Sequence, residues 1–210
     1  MAERAFLRII YATCSIPLIL VAIICYLTNW GRVRTHFHQC VEQSKCSESL
    51  SDELIVCLQV AEDRRCELHF GVDYLGVIRA IFESLKGNIQ GASTIEQQFV
   101  RTVIRKYERT FKRKFIEQLV AHLLIFRVNK RCVSESYLKI AHLGYSIQGV
   151  NSLLNLQSNE EADIKLFCEI TAQLKYPQPR IKTEAWKRKH QQRSKWIFER
   201  YNLKKSSPQQ

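Results

Sequence analysis

Ile9 to Leu27 is a run of 19 residues without a charge, IIYATCSIPLILVAIICYL. Wound as a helix it reaches about 28 Å, close to the hydrocarbon thickness of a bilayer. Pro17 in its middle breaks a soluble helix but is tolerated in a membrane span. A cleaved signal peptide is the competing reading. Against it, the run is long for such an apolar region and no small-x-small site follows Leu27. A lipid anchor on Cys25 is disfavoured by bulky Ile24 before it. The expectation is a retained, single-pass anchor over residues 1–30. Arg4 and Arg8 at one end balance Arg32 and Arg34 at the other, so charge leaves its orientation open.

Charge is unevenly distributed over the rest of the chain. Residues 1–100 carry 9 Lys and Arg against 11 Asp and Glu, whereas residues 101–210 carry 23 against 9. A half this basic calls for an anionic partner: nucleic acid, a membrane surface or a phosphorylated substrate. Within it, Arg101, Arg105, Arg109 and Arg113 alternate with Lys106, Lys112 and Lys114, and only Glu108 opposes them. No zinc-finger, RNP-like or helix-turn-helix pattern accompanies this stretch, which argues against nucleic acid. A phosphate-bearing ligand at a membrane explains both the apolar run and the arginines. With 46% hydrophobic residues, only 7 Gly and only 4 Pro, the chain is neither collagen-like nor low-complexity, and a single folded domain is expected.

Beyond the anchor, residues 31–50 read as a polar connector, 51–203 as the domain and 204–210 as a disordered tail. The apolar spacing is mostly helical. Leu54, Cys57, Leu58 and Ala61 share one face of a helix that ends at Glu62-Asp63. Asp73 can cap a helix through Leu75, Ile78, Ile81 and Phe82 that stops at Gly87, and Ser93 or Thr94 can cap the next. Thr110 starts a long helix through Phe111, Phe115, Leu119 and His122, and further helices fit 134–143, 160–175 and 183–202. No stretch demands a large sheet. The eight cysteines form no CxxC pair. Cys40 and Cys46 could close a local disulfide in an oxidising compartment, while Cys57, Cys132 and Cys168 read as small buried residues.

Two carboxylates stand out. Glu62 closes an apolar helix beside a Gly-containing loop, where a carboxylate can serve as a general base. Taken alone, Glu62-Asp63 reads first as a solvated helix end. Glu117 follows Arg109 and Arg113 at four-residue steps, which puts all three on one helical face. Taken alone, that triplet is a surface ion pair, or a place where Arg113 shares an anionic ligand with Glu117.

Taken together, four stretches carry a resemblance. Glu62-Asp63…Cys66…His69-Phe70-Gly71-Val72-Asp73 is similar to the pattern E-D-x-x-F-x-x-H-x-G-x-D. Gln90-Gly91-Ala92-Ser93-Thr94-Ile95-Glu96-Gln97-Gln98 is similar to Q-G-G-S-T-I-T-Q-Q. Arg109-Thr110-Phe111-Lys112-Arg113-Lys114-Phe115-Ile116-Glu117 and Lys130…Glu135-Ser136-Tyr137-Leu138…Gly144 follow in order. The chain thereby resembles the peptidoglycan glycosyltransferases, glycosyltransferase family 51, and among them the monofunctional biosynthetic transglycosylases.

The resemblance implies a mainly α, lysozyme-like domain acting on lipid II at the inner membrane of a bacterium, with the catalytic domain on the outer side. It implies Glu62 as the base that deprotonates the acceptor hydroxyl, and Glu117 as a second catalytic carboxylate at the donor pyrophosphate. Glu117 acts there directly or through a divalent cation, Mg or Mn; no organic cofactor is implied. Arg101, Arg109 and Lys130 are assigned to the pyrophosphate, with Arg113 beside them. Arg79, Ser93, Gln97 and Gln98 are assigned to the sugar and phosphate cleft. Asp63, His69, Gly71, Asp73, Thr94, Tyr137 and Gly144 are assigned to structure. The implied partners are lipid II, the nascent glycan strand, the membrane, and proteins of cell-wall synthesis or division. Departures from the pattern are Cys66 for Phe, Ala92 for Gly, Glu96 for Thr, Arg101 for Lys and Lys139 for Asn. None removes an implied catalytic residue, so an active enzyme is expected. A weakened homologue that binds cell-wall precursors is the alternative.

Overall fold

A computed structural model describes residues 2–45, 49–88, 91–154 and 160–206, with the side chains of 160–162 excepted. The architecture is mainly α, and the described strands form a single two-stranded sheet. The chain divides into two compact units. The first comprises residues 1–46 and 65–133, the second 47–64 and 134–210.

The first unit opens with α1, Ala2–Leu27, which contains Pro17. Among the described residues it is the one helix long and apolar enough to cross a membrane. It is apolar on all sides, but the unit covers only one stripe of it, marked by buried Tyr11, Ser15, Ala22 and Cys25. Phe6, Ile9, Ile16, Leu20, Ile24 and Leu27 are exposed. A 3-10 turn over Trp30–Arg32 leads into α2, Val33–Gln43. This corrects the expected polar connector over 31–50. Val33, His36 and Cys40 lie on one face at i, i+3, i+7 and are buried, a periodicity diluted by the surrounding Arg, Gln and His. The Cys40–Cys46 pairing that the sequence leaves open has one partner outside the described residues.

After α4 (Tyr74–Leu85) and α5 (Ile95–Ile104) comes α6 (Phe111–Leu124), against which α1, α2 and α5 all pack. Buried Phe99, Val100, Ile116, Leu119, Val120 and Leu124 supply the apolar surface of that assembly. The expected caps form. Asp73 accepts from the Gly76 N–H, Thr94 from Gln97 and Thr110 from Arg113. The apolar face of α4 does not turn inward: Leu75, Ile78, Ile81, Phe82 and Leu85 are exposed, Leu85 at 79%.

The second unit is built on α3 (Asp52–Glu62), α9 (Glu160–Gln173) and α10 (Glu184–Ser206), which pack on one another. Buried Leu54, Cys57 and Leu58 come from α3, Cys168, Ile170 and Ala172 from α9, and Ile197 and Tyr201 from α10. The boundary between units falls within α7, Lys130–Ile140. That helix starts four residues before the expected 134. It stops short of 143 because β1, His142–Gly144, and β2, Ile147–Gln148, form an antiparallel hairpin. A short α8, Asn151–Leu154, follows. Residues 204–206 of the expected disordered tail are helical, because α10 continues through Ser206, and residues 207–210 lie outside the described residues.

Candidate active site

In the second unit, Glu62 is the last residue of α3 and Asp63 its C-cap, with the Asp63 N–H donating to the Gln59 carbonyl at 2.9 Å. Glu62 is half-buried rather than a free solvated end. Arg193 of α10 donates through Nη2 to the Ala61 carbonyl at 2.6 Å and to Glu62 Oε1 at 3.3 Å. The guanidinium lies over the Trp196 ring, 4.5 Å from its centroid. Its Nε is buried with no hydrogen-bond partner among the described residues. Arg193, seated on Trp196 one helical turn along α10, thus ties down the end of α3 and orients the carboxylate. Sequence reasoning missed Arg193 because it stands 131 residues from Glu62 with no local signal. Tyr137 and Gly144 are also in this unit, both buried. A Cβ at Gly144 would lie 2.6 Å from Gln178 Cβ, where the hairpin bridges to Gln178.

In the first unit, the second and third motifs meet. Glu117 on α6 is 1% exposed, so the expected surface ion pair is a buried one. Arg113 Nη1 donates to Glu117 Oε1, and Arg113 also bonds the Glu108 carbonyl. Lys114 lies 3.6 Å from Glu117 Oε2 and donates to Ser93 Oγ at 2.8 Å and Gln97 Oε1 at 2.7 Å. Burial pushes the Lys114 ammonium down from its ordinary value, and Arg101 and Arg113 push the same way against Glu117. Gln97 Nε2 is buried, a donor with no acceptor among the described residues. Lys114 was within the third motif yet unassigned; its i, i+3 spacing to Glu117 was the available signal.

Arg109 does not share the helical face of Arg113 and Glu117 as expected. It precedes Thr110, the N-cap, and lies exposed in a non-helical segment. Arg101 is half-buried in the last turn of α5, Gln98 is buried on α5, and Arg79 on α4 keeps its Nε buried with no partner among the described residues. The surroundings of Glu117 do not fit a divalent cation. Both carboxylate oxygens face cationic side chains, and a hard cation needs oxygen ligands rather than ammonium neighbours.

Lys130, assigned to pyrophosphate, turns its ammonium into the first unit. It donates to the carbonyls of Cys66 and His69, the latter at 2.7 Å, and lies 3.3 Å from both His69 Nδ1 and Glu96 Oε1. Burial raises the Glu96 carboxyl, but Lys130 and His69 more than offset it and hold it below its ordinary value.

Three of the residues assigned to structure form local backbone and side-chain contacts. Gly71 has φ +88°, and a Cβ there would stand 2.7 Å from the Ala121 carbonyl oxygen. Thr94 donates to the Gly71 carbonyl at 2.8 Å while capping α5. Asp73 accepts from Arg65 Nε and Nη2 and from the Tyr11 hydroxyl as well as from Gly76. Burial raises its carboxyl, and these donors hold it below the ordinary value.

The transglycosylase family model matches residues 31–201, most of the chain. The penicillin-binding protein 1B of Haemophilus influenzae is 37% identical over 93 residues, 43% of this chain and 12% of that protein. The penicillin-binding protein 1A of Neisseria gonorrhoeae is 37% identical over 102 residues, 48% of this chain and 13% of that protein. The biosynthetic peptidoglycan transglycosylase of Alcanivorax borkumensis is 31% identical over 107 residues, 50% of this chain and 44% of that protein. The matched segment is thus under half the length of each relative. The family match spans all four motifs and also α2. The chain belongs to the transglycosylase family, with the mainly α, lysozyme-like fold that its motifs implied.

Proposed function

We propose that this chain is a membrane-anchored peptidoglycan glycosyltransferase. It polymerises lipid II into β-1,4 glycan strands and releases polyprenyl pyrophosphate. The observation that carries the reading is the cluster in which the cations Arg113 and Lys114 meet the buried carboxylate of Glu117 while Lys114 also donates to Ser93 and Gln97. Negative charge develops on the pyrophosphate as it leaves, and preorganised donors and cations are what lower the barrier to that departure.

Glu62 takes the proton from the 4-hydroxyl of the acceptor sugar. The resulting oxygen attacks the anomeric carbon of the donor, the bond to pyrophosphate breaks, and the α-linkage inverts to β. Pyrophosphate leaves as an anion, so the general acid a glycosidase needs is dispensable. Arg193 orients the Glu62 carboxylate. Lys114, Arg113, Arg101 and Arg109 supply positive charge to the diphosphate, and Glu117 keeps the first two in place. The anchor is α1, which meets the bacterial cytoplasmic membrane through the apolar face that the first unit leaves exposed, and the catalytic domain works on the outer side.

Purified full-length protein in detergent, given labelled lipid II, should produce muramidase-sensitive polymer. Folded protein that binds lipid II yet yields no polymer would overturn the reading. One observation favours a second reading, a weakened homologue that binds precursors: Glu96, standing where the pattern has Thr, pairs with Lys130 and occupies its charge. Lipid II binding without turnover is its signature.

A further inference from the structure

Cys57 of α3 and Cys168 of α9 are 111 residues apart in sequence, yet their sulfurs lie 3.7 Å from one another. Both residues are almost fully buried, at 0% and 1% exposure. Both are thiols here, and each is on a helix that packs directly on the other. The sulfurs need to approach by about 1.7 Å to reach the ~2.03 Å of a disulfide. Neither thiol has a part in the proposed glycosyl transfer. On the outer-side location proposed above, on which this inference rests, the compartment is oxidising, and disulfides form and persist in such a compartment.

We propose that Cys57 and Cys168 form a structural disulfide that pins α3, and with it the helix end bearing Glu62, to α9. One thiolate attacks a sulfur of an oxidising disulfide, either a low-molecular-weight disulfide or that of a dithiol oxidoreductase, and expels one thiol. The second cysteine thiolate then displaces the other oxidant sulfur from the mixed disulfide. Two protons and two electrons leave the protein, one S–S bond forms, and the oxidant departs as two thiols. Since both sulfurs are enclosed once α9 covers α3, the exchange takes place during folding.

Cys46 shares a tryptic peptide with Cys57, between Lys45 and Arg64, so the test uses full-length Cys46→Ser protein. The protein is refolded in detergent under oxidised glutathione, blocked with N-ethylmaleimide in denaturant and digested. The expected product is the Cys57 peptide linked to the Cys168 peptide, 2 Da lighter than the two thiol forms and separated by reductant. The oxidised protein should melt roughly 5–10 °C above its dithiothreitol-treated form, a gap that Cys168→Ser abolishes. Recovery of positions 57 and 168 fully blocked by maleimide, or linked to other cysteines, overturns the proposal, and this mass readout needs no variant at either position. Lipid II turnover plays no part in it, so its failure and that of the glycosyltransferase reading are separable.

Discussion

Glu62→Gln keeps the volume of the side chain and its hydrogen bond from Arg193, but removes the base. Turnover of labelled lipid II should fall about 10²–10⁴-fold, while the thermal midpoint stays within a few degrees of the parent. Residual polymerisation at the parental rate would exclude Glu62 as the base. Lys114→Met acts differently, because it empties the centre of the cluster formed by Ser93, Gln97 and Glu117. Turnover should drop about 10–100-fold, with inhibition by added pyrophosphate weakened in parallel. An unchanged pyrophosphate response would remove Lys114 from that site. Both predictions rest on single side chains whose partners are already in place.

At the scale of elements, α1 is more than a tether. Its buried stripe lies along α6, and Tyr11 hydrogen-bonds Asp73 at the start of α4. Deleting residues 1–28 should therefore not release a well-behaved soluble domain. The truncated protein should aggregate on size exclusion or melt well below the full chain, because the apolar surface of α6 is uncovered and Asp73 loses a donor. A monodisperse fragment of unchanged stability would contradict this. Asp73→Ala strips both the cap of α4 and the acceptor of Arg65. It should cost about 2–4 kcal/mol in urea unfolding, since removing one partner strands a partly buried guanidinium. Exposed apolar side chains on α1 and α4 are both in the first unit, and their exposure agrees with the membrane location proposed above.

Across the whole molecule, pH is the most direct handle on the buried charges. Burial pushes His122, on α6, down to about 4, with its Nε2 2.9 Å from the Tyr74 hydroxyl. The folded state therefore favours the neutral ring. Its stabilisation is complete above the unfolded value near 6.5 and is lost as pH falls from there towards 4, by about 3 kcal/mol. The carboxyls of Asp73 and Glu96 are held low, so their contributions disappear only at still lower pH, through their folded values. Denaturant midpoints measured from pH 7 to 4 should decline steadily, and His122→Phe should flatten that decline. A flat parental profile would mean that His122 titrates normally.

Much of this protein was legible without coordinates. The 26 residues of α1, the caps at Asp73, Thr94 and Thr110, and the end of α3 at Glu62 follow from local periodicity and capping chemistry, which act over a few residues. The four motifs identified the family for the same reason: each is a short, continuous string. What stayed hidden involves distance along the chain or direction in space. Arg193 reaches Glu62 across 131 positions, and Cys57 meets Cys168 across 111. Helical periodicity found the apolar face of α4 but could not say that it points away from the core, nor that Lys130 points in. Local sequence sets backbone conformation and which side chains share a face. Which face meets which partner depends on the packing of helices remote in the chain, and that packing brings Lys114 to Ser93 and orients the carboxylate of Glu62.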